Sequence, residues 1–139
     1  FALGTDGAAS NNSLDLFGEM KTATLLQKFA WNDPTVLPAP EALSLAAGNA
    51  HAALGWAGGR LEAGAPADLV LVDTRTPCNT PLHSAVSNAV YSCTGAAVTT
   101  TLCAGRVLMH ERVIPGADEV LSGAAKAARA LIGRAAGAP

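Results

Sequence analysis

The chain reads as an α/β protein, and three observations carry that reading. An apolar segment, Phe1-Ala2-Leu3, runs through Gly4 and Thr5 to Asp6-Gly7 and then into a long apolar helix, so a carboxylate stands where a strand ends. From Trp56 onward the pattern changes to turn-rich stretches between short apolar runs. Helical spacing returns from Asp118 to Ala136. A carboxylate at the C-terminal end of a strand is where a TIM-type (β/α)8 barrel places its chemistry.

Residues 1–5 are expected to form a short buried strand, because an apolar run leading into Gly-Thr-Asp suits a strand covered on both faces. A helix is expected over 13–30, capped by Asn12 or Ser13, with Asp15 and Glu19 at its positive end and Lys28 at its negative end. Its apolar residues, among them Leu14, Phe17, Met20, Leu25 and Phe29, cover most of the circumference, which predicts burial on several sides. Pro34, Pro38 and Pro40 make 31–40 a loop. A second helix should start at Pro40-Glu41 and stop at Gly55, and its Gly48-Asn49-Ala50-His51 segment is small enough for close packing.

Gly58 to Asp68 is turn-rich and leads into an apolar strand, Leu69-Val70-Leu71-Val72. A loop with Pro77 and Pro81 follows, and 89–92 is predicted as a strand. Ala97–Leu102 and Arg106–Met109 should pair as a hairpin turning at Ala104-Gly105. In the final helix, Val120, Leu121, Leu131 and Ile132 oppose Lys126, Arg129 and Arg134. The Ala-Gly tail from Ala135 is expected to fray.

Composition narrows the function classes. Half of the 139 residues are hydrophobic, which supplies a core and excludes a disordered chain. A net charge of −2 offers no basic surface for nucleic acid or anionic membrane. No apolar run approaches the length of a membrane span. Cys78, Cys93 and Cys103 are odd in number and lack CxxC spacing, so buried free thiols in a reducing, cytoplasmic setting are expected rather than a disulfide framework. A chain that begins at Phe1, inside an apparent strand and without a signal-peptide pattern, is read as the C-terminal part of a longer protein.

Asp6-Gly7 taken alone is an ordinary turn pair. The longer string Gly4-Thr5-Asp6-Gly7, followed by Ser10-Asn11-Asn12 and then Leu14-Asp15-Leu16-Phe17-Gly18-Glu19-Met20-Lys21, exceeds what a turn requires. It resembles the last catalytic strand of the metal-dependent amidohydrolases, most of all the 5-methylthioadenosine/S-adenosylhomocysteine deaminases and their chlorohydrolase-like (ATZ/TRZ) relatives. Gly59-Arg60-Leu61-Glu62-Ala63-Gly64 with Ala67-Asp68-Leu69-Val70 is similar to the return into the β-sandwich that flanks those barrels.

The resemblance implies 1–56 as the end of the barrel, 57–115 as a portion of the β-sandwich, and 116–139 as a C-terminal helix and tail. It implies that Asp6 binds one divalent metal, zinc in the first place and iron as the alternative. Asp6 would also contact the substrate and shuttle the proton of the attacking water. Gly7, Ser10, Asn11 and Asn12 would shape the active-site loop, although turn formation and helix capping explain the last three equally well.

The family's His-x-His pair has no counterpart in this chain. His51, His83 and His110 lack the spacing of converging ligands and are read as structural or solvated. Glu19 matches a recurring family glutamate, yet its position in a first helical turn accounts for it. Ser10 has no base beside it and is not a nucleophile. The implied activity is deamination of a purine-like small molecule by a parent enzyme, with 5-methylthioadenosine or S-adenosylhomocysteine favoured. Chlorohydrolase or guanine deaminase chemistry is the alternative. A third reading makes the segment itself catalytically inert and structural. The partners implied are the remainder of the parent barrel and further copies in a homo-oligomer.

Overall fold

The computed structural model describes residues 1–136. The expected fraying of the tail beyond Ala136 lies outside the described residues. The element order is α1 (Leu16–Trp31), α2 (Ala39–Ala46), α3 (Gly48–Leu54), β1 (Leu69–Val72), α4 (Ala85–Tyr91), β2 (Val98–Cys103), β3 (Arg106–Met109) and α5 (Ala117–Ala136). Short 3-10 turns lie at Pro77–Asn79 and Gly95–Ala97.

Helix α1 starts later than expected. Asp15 caps it, accepting a hydrogen bond from the Phe17 amide at 3.0 Å, while Asn11 and Ser13 serve the turns before it. Met20 and Thr24 are buried along one face, and Leu25, Leu26 and Phe29 are exposed. Among the described residues, the circumferential apolar pattern is thus covered on one side. At the far end Asn32 enters the left-handed region and closes the last turn, and the Lys28 ammonium donates to the Val36 and Leu37 carbonyls.

The single helix expected after Pro40 is two. Ala47 departs from helical geometry and separates α2 from α3. Gly59, at φ 74°, comes so close to Gly48 that a Cβ on Gly59 would lie 2.7 Å from the Gly48 Cα. Gly55 ends α3 in the left-handed region, as its position predicts.

The core forms where α1, α2 and α4 meet, through Met20, Ala39, Ala42 and Val90 with Phe17, Leu43 and Val86 around them. Full burial of a side chain the size of Met20 contributes about 1.5–3 kcal/mol. The sequence predicts a strand over 89–92, but Val90 belongs to helix α4. The Ser84 hydroxyl accepts from the Ser87 amide and starts that helix, and burying Val90 completely against α1 and α2 outweighs its β-branched preference.

The three strands form an antiparallel sheet in the order β1-β2-β3, with Leu69 opposite Leu102, Leu71 opposite Thr100 and Cys103 opposite Arg106. The hairpin turns at Ala104-Gly105, both at positive φ, as expected. Residues 1–5 are not a strand. Leu3 donates its amide to the Leu45 carbonyl at 2.9 Å, so this segment lies against a helix. No strand stands beside it among the described residues, and a strand exists only when its backbone groups are paired. Of the three free cysteines only Cys93 is buried, and Cys78 and Cys103 are exposed. Burial pushes the Cys93 thiol up.

Met20→Ala should destabilise this chain by about 2–5 kcal/mol, whereas Phe29→Ala should change it by less than about 0.5 kcal/mol. Urea unfolding of the two variants, followed by circular dichroism, checks both values.

Candidate active-site loop

The loop before α1 is held by its own side chains. Asp6 takes a left-handed conformation, φ 59°, which aspartate tolerates better than most residues, and its Oδ1 accepts from the Gly7 amide at 2.7 Å. The Gly7 carbonyl accepts from the Ser10 and Asn11 amides at 2.9 and 3.0 Å, closing a tight turn. Asn11 then locks the turn in place. Its Nδ2 donates to the Thr5 carbonyl at 3.0 Å and to Glu19 Oε1 at 2.7 Å, and its Oδ1 accepts from the Ser13 amide at 3.0 Å. Both sides of the Asp6 turn are thereby fastened to the first turn of α1.

Asp15 extends this fastening to the sheet side of the molecule. One carboxylate oxygen caps α1, and the other accepts from the Gly95 amide at 2.9 Å, just before β2. In the sequence alone Asp15 has only a helix-dipole role. Its partner lies far along the chain, so nothing local signals the contact.

The expected site residues therefore divide. Asp6, Gly7 and Asn11 form one hydrogen-bonded unit with Thr5 and Glu19. Ser10 and Asn12 are exposed, and their side chains make no hydrogen bond among the described residues. Glu19 is the acceptor for Asn11, a positioning contact that spacing alone does not reveal.

The histidines lie elsewhere. His51 Nδ1 is 3.1 Å from the Ala47 carbonyl, its Nε2 is 3.6 Å from Asp68 Oδ2, and Trp56 packs edge-on against its ring. Gly58, at φ 123°, leaves room for that ring, since a Cβ there would approach His51 Cδ2 to 3.0 Å. His110 lies 3.4 Å from the Thr100 hydroxyl. These contacts tie α3 to the approach to β1, and β3 to β2. Among the described residues, no group of three or more His, Cys, Asp or Glu side chains could hold a metal ion. Asp6 offers one carboxylate donor, and a zinc site needs three or four converging ligands, so the described residues do not make a metal site by themselves.

An apolar groove of about 910 Å³ runs between α2, α3, β1 and α4, lined by Leu43, Ala47, Leu69, Val86 and Ala89 among others. Neither Asp6 nor any other residue of its loop lines it.

Asp68 is the acidic group with most at stake beside this groove. The Ala104 amide, 2.6 Å away, holds its carboxyl below the usual carboxylate range, with a smaller lowering from His51.

Residues 1–108 match the amidohydrolase family, and the chain belongs to it. A 5′-deoxyadenosine deaminase of Methanoregula boonei is 67% identical over 133 residues, covering 96% of this chain and 30% of that protein. A 5-methylthioadenosine/S-adenosylhomocysteine deaminase of Halobacterium salinarum is 46% identical over 136 residues, covering 96% of this chain and 32% of its own length. The chain thus spans about a third of the curated relatives it matches. Among solved structures, a zinc-bound adenosine deaminase from Xanthomonas campestris superposes with a TM-score of 0.86 at 36% identity, over 90% of this chain and 29% of that one. A triazine hydrolase variant superposes at 0.70 with 24% identity, over 78% and 25%, and shows a shared fold.

Asn11→Ala should loosen the Asp6 turn by about 1 kcal/mol or more, read as roughly fivefold faster hydrogen exchange at the Ser10 and Ser13 amides. Because the folded-state pKa of Asp68 is depressed, its contribution to stability is present above the ordinary carboxylate range. That contribution is lost as pH falls through the folded value. Asp68→Asn, which keeps an oxygen for the Ala104 amide, should flatten the acid limb of a stability-versus-pH curve measured by thermal melting.

Proposed function

We propose that this chain is the C-terminal segment of a metal-dependent deaminase of 5′-modified adenosines. In that reading 1–56 end the TIM-type barrel, 57–115 belong to the flanking β-sandwich, and 116–139 form the C-terminal helix and tail. The observation that carries the proposal is the 67% identity to a 5′-deoxyadenosine deaminase across 96% of this chain. 5′-Deoxyadenosine is accordingly the first substrate to assay, with 5-methylthioadenosine and S-adenosylhomocysteine beside it.

Asp6 is the catalytic contribution of this segment. Its carboxylate stands on a turn whose backbone is set by the Gly7 and Asn11 contacts, so it is presented in one orientation. Its carboxylate would be one ligand of the metal, would contact the substrate, and would accept the proton of the attacking water and return a proton to the departing amine. A divalent metal, with zinc favoured, supplies the activation of that water near neutral pH when bound. Gly7, Ser10, Asn11 and Asn12 shape the loop around Asp6. The other ligands belong to the remainder of the barrel, and one carboxylate does not hold a catalytic metal alone.

In the polypeptide that carries this segment with the rest of the barrel, Asp6→Ala should lower kcat/KM for 5′-deoxyadenosine by about a hundredfold to ten-thousandfold, measured as ammonia release. Unchanged turnover with unchanged metal content would remove Asp6 from the mechanism. The 139-residue chain assayed alone should release no ammonia above background.

A further inference from the structure

A carboxylate in the first turn of α1 suits the positive end of the helix dipole, and by position alone Glu19 needs no other explanation. Its contacts give it a second task. Its backbone amide already donates to the Asp15 carbonyl at 3.2 Å, and the side chain that caps the helix is that of Asp15. Among the described residues the Glu19 carboxylate accepts from no amide of its own helix. Its Oε1 accepts instead from Asn11 Nδ2 at 2.7 Å, in the loop that carries Asp6.

This contact settles how Asn11 sits. One amide hydrogen goes to the Thr5 carbonyl at 3.0 Å and the other to Glu19, while Oδ1 accepts from the Ser13 amide at 3.0 Å. Turned over, the Asn11 oxygen would face two acceptors and its NH2 group would face the Ser13 N–H, so every one of these bonds would fail. Asn11 in turn holds Asp6 from both sides. The Thr5 carbonyl belongs to the peptide bond that leads into Asp6, and the Asn11 backbone amide donates to the Gly7 carbonyl just after it at 3.0 Å. Asn11 and Glu19 are half-buried, whereas Asp6 is exposed. The anchor thus lies inside and the carboxylate outside. A hydrogen bond to a carboxylate is shorter and stronger than one between neutral groups, which suits an anchor.

Given the role proposed above for Asp6, we propose that Glu19 is a positioning residue for it, acting through Asn11. Glu19 touches neither substrate nor metal in this scheme. What it supplies is an oxygen acceptor at a point fixed by α1. Glutamine at this position keeps the acceptor and removes the charge, so it separates anchoring of Asn11 from a dipole role, which requires the charge.

The experiment uses the polypeptide that carries this segment with the rest of the barrel. Ammonia release from 5′-deoxyadenosine is measured beside hydrogen exchange at the Ser10 and Asn11 amides, which close the Asp6 turn onto the Gly7 carbonyl. Glu19→Ala should lower kcat by about tenfold to a hundredfold, with KM within about twofold, because Asp6 is misplaced while most substrate contacts persist. It should speed exchange at both amides by about tenfold. Glu19→Gln should stay within about threefold of the wild type in both measurements, since its oxygen still accepts from Asn11. Glu19→Ala combined with Asn11→Ala should match Asn11→Ala alone within about twofold, as two members of one hydrogen-bonded unit do. Asn11→Ala breaks the same contact without altering α1, so it reads the link even where Glu19→Ala weakens the helix. Glutamine as damaging as alanine, as a dipole role produces, overturns the proposal. So do fully additive effects in the double variant, or Glu19→Ala leaving both measurements unchanged. A wild type that releases no ammonia would overturn the proposed activity instead, and the exchange rates would still decide the role of Glu19 by the same comparisons.

Discussion

Met20 and Val90 meet at the junction of α1, α2 and α4, and their burial with Ala39 and Ala42 is the contact on which the arrangement of the helices depends. The small alanines let α2 approach the other two helices closely. Once α1 is seated there, its N-terminal turn has a defined position. Asp15 and Glu19 then become fixed acceptors, one for Gly95 before β2 and the other for Asn11 in the loop that carries Asp6. The order of the Asp6 turn is thus inherited from an apolar contact on the buried side of the same helix.

Asn11 is consumed by three hydrogen bonds, to Thr5 and Ser13 in the loop and to Glu19 in α1, while Asp6 is exposed. A left-handed aspartate at a turn is a strained feature that a structure keeps only when neighbouring contacts over-determine it. Thr5, Gly7 and Asn11 supply those contacts. His51 and Asp68 are spent on joining α3 to the return toward β1.

The exposed faces follow a consistent pattern. The outward side of α1, the exposed Val70 and Leu71 of β1, and the stripe on α5 each present apolar side chains that the described residues do not cover. These uncovered faces are in keeping with a chain that spans about a third of its relatives.

Hydrophobic periodicity, prolines and glycines were enough to mark α1, the stop at Gly55, the β1 strand, the β2–β3 hairpin and α5, because each is governed by neighbours within a few residues. The string around Asp6 likewise carried the family and the candidate carboxylate. Tertiary structure decided the rest. Residues 89–92 have strand-forming composition, yet Val90 is helical because its complete burial against α1 and α2 outweighs local preference. The stretch 1–5 has a strand's composition, but no strand stands beside it among the described residues, and its amide at Leu3 goes to Leu45 instead. The joining of Asp15 to Gly95 and of His51 to Asp68 depends on side chains brought together only by the packed fold. Local sequence acts through backbone torsions and spacing, whereas these contacts depend on where remote segments come to rest.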